Sequence, residues 1–90
     1  MSKTYRLAQY RREAKREPFT LELDDGTCIT VNPPSGGSVL QLDPSKSTRE
    51  VLRLLAGDSY QALVDALADD DASVLVAVLR DMQVHFGLGG

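Results

Sequence analysis

The hydrophobic period of this chain changes once, from two residues to about 3.6, across a proline- and glycine-rich stretch. Before it, Phe19, Leu21 and Leu23 alternate with Thr20 and Glu22, the pattern of a half-buried strand. Asp24-Asp25-Gly26 follows, a sequence suited to a tight turn because glycine takes positive φ without steric cost. Thr27-Cys28-Ile29-Thr30-Val31 then returns the chain in residues that favour strands. Asn32 to Ser38 reads as a loop by composition. Beyond it, apolar residues recur at helical spacing as far as Phe86. A pattern of period two does not settle as a helix, nor one of 3.6 as a strand. The fold class is therefore α+β, mainly α, with an N-terminal β-hairpin at 18–31 packed against a compact bundle of about three helices.

Within the loop at 32–43, Val39, Leu40 and Leu42 are expected to pin the chain to the core. The helices are placed at about 44–56, 58–68 and 72–86. Asp43 with Pro44 at the first helical position competes with Ser47 and Glu50 as the start of the first helix. That helix carries Val51, Leu52, Leu54 and Leu55 and ends at Gly57. Asp58, with Gln61 in the reciprocal position, is the expected cap of the second, whose apolar side holds Tyr60, Leu63, Val64 and Leu67. Asp69-Asp70-Asp71 closes it and caps the third. The third is apolar nearly all round through Val74, Leu75, Val76, Val78 and Leu79, then narrows to Met82 and Phe86.

Ninety residues at 42% hydrophobic suffice for a single modest core at 18–88. No apolar run reaches membrane-spanning length, and cations rather than an apolar stretch fill the N-terminal region. The lone Cys28 and lone His85 leave neither a disulfide framework nor a Cys/His metal cluster, so a reducing cytoplasmic setting is expected. The three aspartates read as a helix cap rather than a metal site, since calcium loops space their ligands at alternate positions. Pro34 to Ser38 lacks the Lys-Ser/Thr of a phosphate loop. Cys28 is expected to be a buried thiol in a strand, with no constellation around it or His85 for nucleophilic catalysis. Gly87 reads as a helix C-cap and Gly89-Gly90 as a flexible tail. No catalytic residue, metal or cofactor is expected, and the chain is read as a non-enzyme.

The net charge of −3 divides unevenly. Residues 1–17 form a basic arm, helical or partly disordered, whose Lys3, Arg6, Arg11, Arg12, Lys15 and Arg16 face only Glu13 and Glu17. The rest is acidic. Such an arm can dock on nucleic acid or an acidic protein surface, simply keep a helix solvated, or fold back on its own acidic body. The acidic body makes nucleic acid the weaker partner, and no membrane partner is expected. Partner binding is assigned instead to the last two helices, through Tyr60, Leu63, Leu67, Val74, Leu75, Val78, Leu79, Met82 and Phe86. The apolar residues of the last helix are taken to cover more of its circumference than one core can absorb. Met82 is taken as an outward position, where Met82→Glu would leave the monomer folded.

The order of a Phe-Thr-Leu-Glu-Leu-Asp-Asp-Gly-Thr-Cys-Ile-Thr-Val hairpin, a proline-rich loop, Leu54 to Leu63, an acidic turn and a closing Phe86-Gly87-Leu88 resembles the short tail assembly chaperones of long-tailed bacteriophages and prophages of actinobacteria. The likeness spans roughly residues 17–88 and does not include the basic arm. It implies a non-catalytic factor that coats the tape measure protein, keeps it soluble and recruits tail tube subunits. It also implies action in the host cytoplasm, absence from the mature virion, and a longer form made by ribosomal frameshifting, with which Gly89-Gly90 is compatible. Self-association stays open. The alternatives are a small nucleic-acid-associated regulator using the arm, and a structural head–tail connector or minor tail protein.

Overall fold

The computed structural model describes residues 3–14 and 17–88. The arm cations Lys15 and Arg16, and the tail at 89–90, lie outside the described residues. The chain is mixed α+β and mostly helical, with an N-terminal antiparallel hairpin.

Strands β1 (Phe19–Glu22) and β2 (Cys28–Val31) pair with Phe19 opposite Val31 and Glu22 opposite Cys28. The turn between them closes where the Gly26 N–H donates to the Leu23 carbonyl at 3.0 Å and the Leu23 N–H donates to the Thr27 carbonyl at 2.8 Å. The Asp25 carboxylate accepts from the Thr27 hydroxyl at 2.6 Å and its N–H at 3.0 Å. These two bonds hold the Asp25 pKa below the usual carboxylate value. Phe19, Leu21, Ile29 and Val31 share the inward face. Strand alternation then puts Cys28 outward beside Thr30. Cys28 is exposed, which corrects the expectation of a buried thiol.

The connection holds more structure than its composition suggests. Ser35 caps a short helix, α2 (Gly36–Leu40), by accepting the Ser38 N–H at 3.1 Å. Leu42 packs against the core, whereas Leu40 is exposed and pins nothing. Helix α3 (Thr48–Ala56) starts at the later of the two rival caps, where Ser47 accepts the Glu50 N–H at 3.2 Å. Asp43 forms a local turn instead, accepting the Ser45 N–H at 2.8 Å and the Ser45 hydroxyl. The Glu50 side chain faces Lys46 at 3.5 Å rather than closing the capping box.

Gly57 ends α3 at φ 54°, ψ −123°, a backbone region that residues with a Cβ enter only under strain. A 3-10 turn (Gly57–Ser59) leads into α4 (Tyr60–Leu67). The Ser59 hydroxyl donates to the Thr30 carbonyl at 2.6 Å and ties this corner to the hairpin. Asp58 is therefore not the cap of α4, and Gln61 donates to Asp65 at 2.9 Å instead of reaching back. Asp71 does cap α5 (Ala72–His85), accepting the Ser73 N–H at 2.8 Å. This bond draws the Asp71 carboxyl below its ordinary pKa. At the other end the Leu88 N–H donates to the Gln83 carbonyl at 2.7 Å and the Gly87 N–H to the Val84 carbonyl at 3.0 Å. That is the paired closure of a Schellman motif, with Leu88 folded back onto the core.

The glycines separate two effects of adding a methyl group. A Cβ on Gly57 would meet no atom within 4 Å, as would one on Gly36 within α2. Gly57→Ala is therefore expected to cost about 1–3 kcal/mol through the backbone alone. Gly36→Ala is expected to stabilise the chain by about 0.4–1 kcal/mol. Urea unfolding of both variants measures the contrast.

The core contains Val31 from β2, Leu52, Leu55 and Ala56 from α3, Leu63 from α4 and Met82 from α5. Phe19, Leu21, Ile29, Val51, Tyr60, Leu75, Val78, Leu79 and Phe86 pack around it. Helix α1 (Leu7–Glu13) contributes nothing to this core and buries none of its residues. The radius of gyration is 15.4 Å, against about 12 Å for a compact domain of this length.

Candidate interaction surface

The face of α5 is set by its 100° turn per residue. At that increment Val74, Leu75, Val78, Leu79, Met82 and Phe86 fall within an arc of about 140°, less than half the circumference. One core can therefore take most of them. Met82 is fully buried, and Leu75, Val78, Leu79 and Phe86 pack against the buried cluster. The expectation of an outward-facing Met82 is corrected: its side chain is a central core element. Leu63 is likewise fully buried, so neither residue is open to a partner. Tyr60 is half-buried with the Arg53 guanidinium 4.9 Å above its ring, packed against the core as well.

Three of the nine sequence-assigned contact residues, Leu67, Val74 and Val78, line an open groove of about 510 Å³. The opposite wall is the hairpin, through Leu21 and Leu23. Glu22, Asp24 and Asp25 on one side and Asp70 on the other give it an acidic rim. A smaller apolar depression of about 250 Å³ adjoins it between α3, α4 and the start of α5, sharing Leu67 and Asp70. The hairpin half of this groove has no counterpart in the sequence reading, because it needs β1 and its turn to meet the α4–α5 corner. Its local signal was Leu23, the third member of the apolar alternation, which continues past the end of the strand.

Val76 and Val84 are 56% and 63% exposed and lie on the side of α5 away from the core. They were hidden in the sequence within an apolar run that looked uniform. A 100° projection separates them from the Leu75–Met82 stripe.

His85 closes the other end of the fold. Its Nε2 lies 3.1 Å from the Glu17 carbonyl, and its ring meets those of Phe19 and Phe86 edge-on at 5.7 and 5.3 Å. It thus joins the end of α5 to the start of the hairpin. Among the described residues, no group of three or more His, Cys, Asp or Glu is placed to hold a metal ion. No helix among them is long and apolar enough to cross a membrane. The carboxylates of Asp25, Asp43 and Asp71 are each engaged by neighbouring hydroxyl or N–H groups within turns and caps. Arg6, Arg11 and Arg12 are all exposed on or next to α1.

Comparison with protein-family models, with curated proteins and with solved structures finds no match.

Proposed function

We propose that this chain is a non-catalytic interaction protein, and specifically a phage tail assembly chaperone that holds helical segments of the tape measure protein and helps recruit tail tube subunits. The observation that supports it most is the groove between the hairpin and the α4–α5 corner. Leu21, Leu23, Leu67, Val74 and Val78 give it an apolar lining on two walls. An amphipathic helix recognises such a cleft with its own apolar stripe. The acidic rim favours a client segment with flanking cations and keeps the complex dissolved. On this reading the protein acts in the host cytoplasm and leaves before the virion is complete. The assignment to phage rests on the resemblance of residues 17–88, and the groove supplies a place for the client.

Co-expression with the tape measure protein of the same genome tests it. Wild-type protein is expected to keep that protein soluble and to co-purify with it. Val74 is partly exposed at the groove wall, so Val74→Glu should leave the fold intact. Losing an apolar contact of this size costs about 1.5–3 kcal/mol, so affinity should fall roughly tenfold or more. Val84→Glu, on the other side of α5, should bind as wild type does. A wild-type protein that never associates with the tape measure protein overturns the reading, as does a folded Val74→Glu that binds unchanged.

A further inference from the structure

Two parts of this chain are complementary and unpaired with each other. The arm exposes three large apolar side chains, Tyr5 at 67%, Leu7 at 61% and Tyr10 at 57%. On α1 the helical increment puts Arg11 about 40° from Leu7 and Tyr10 about 60° away on the other side. Apolar and cationic groups therefore share one narrow face. The groove beside the hairpin presents the inverse arrangement, an apolar lining beneath the carboxylates of Glu22, Asp24 and Asp70. An exposed apolar stripe on a short helix has little to stabilise it in water, because helices of this length depend on packing.

We propose that α1 of one molecule docks in the acid-rimmed groove of a second copy, giving a symmetric dimer by exchange of arms. Leu7 and Tyr10 lie on Leu23, Leu67 and Val74, and Arg6 and Arg11 face the rim, with Arg12 on the far side of the helix. A two-fold arrangement makes both contacts at once, since each molecule carries one arm and one groove. In the single chain α1 buries none of its residues, and the molecule measures 58 Å in its longest dimension against 20 Å in its shortest. The arm thus stands clear of its own body and is free to reach another. This inference concerns only the chain's own residues and stands without the chaperone reading, although arm and client would occupy the same groove and so exclude each other.

The test is charge reversal on each side of the contact, followed by mixing. One variant carries Arg6→Glu and Arg11→Glu; the other carries Glu22→Lys, Asp24→Lys and Asp70→Lys. Circular dichroism confirms that each keeps its fold. Sedimentation equilibrium should show a dimer for the wild type, weakened by added salt. Each variant alone should dimerise roughly 100-fold or more weakly, because attraction becomes repulsion at every pair. An equimolar mixture should restore a heterodimer, since the acidic arm of one then meets the basic groove of the other. A wild type that stays monomeric into the high micromolar range overturns the proposal. In that case hydrogen exchange protection of α1 would assign the groove to the molecule's own arm, and tight binding of duplex DNA would assign the arm to nucleic acid. Variants that still dimerise alone, or a mixture that does not recover, overturn it equally.

Discussion

Met82→Glu is expected to abolish folding. The Met82 side chain is fully enclosed by Val31, Leu52, Leu55, Leu63 and the residues packed around them. Among the described residues the core contains no buried polar or charged group, so a glutamate there would meet no partner. Burying an unpaired carboxylate costs several kcal/mol after relaxation, on top of the lost apolar contact. A chain of this length has only about 5–13 kcal/mol of stability in total. The expected result is loss of the cooperative urea transition and of dispersed amide resonances. Met82→Leu keeps the volume and should cost less than about 1.5 kcal/mol. A well-folded Met82→Glu would mean that this position faces outward in solution.

The contrast shows where the sequence is sufficient and where it is not. The hairpin was legible because its evidence is local. Phe19, Leu21 and Leu23 alternate, Asp25 and Gly26 suit a tight turn, and Ile29 and Val31 resume the same face. The caps at Ser47 and Asp71 and the Gly87 C-cap were legible for the same reason, since each bond joins residues fewer than six apart, whereas the packing of Leu88 against the core depends on the tertiary fold. Cys28 could have been placed by parity, because it sits one residue before Ile29. The short helix α2 was hidden by Gly36 and Gly37, whose low helix propensity is outweighed by the Ser35 cap and the contact of the following Leu42 with the core. Asp58 looked like a cap, but the 3-10 turn carries the chain into α4 through backbone bonds, and Ser59 is used on Thr30. The groove was illegible for a different reason. Leu23 and Val74 are far apart in sequence, and only the tertiary fold brings the hairpin beside the α4–α5 corner.

Leu63→Ala is the second large effect, and it distinguishes a core residue from a contact residue on one helix. Leu63 lies fully buried on α4, between the α3 residues Leu52 and Leu55 and the α5 residue Met82 in the same cluster. Leu67, one turn later, opens onto the groove. Truncating a buried leucine removes its transfer free energy and leaves a cavity that the surroundings fill only in part. The cost is about 2–5 kcal/mol, a large share of the stability available to a domain this small. Leu67→Ala should cost less, because part of its surface already meets water. Urea denaturation should therefore move the Leu63→Ala midpoint far more than that of Leu67→Ala at similar m-values. Binding should respond in the opposite order: at concentrations of denaturant where both are folded, Leu63→Ala keeps its groove residues in place, whereas Leu67→Ala has lost one. If both variants lost stability equally, Leu67 would belong to the core, and the groove would be shallower than its walls suggest.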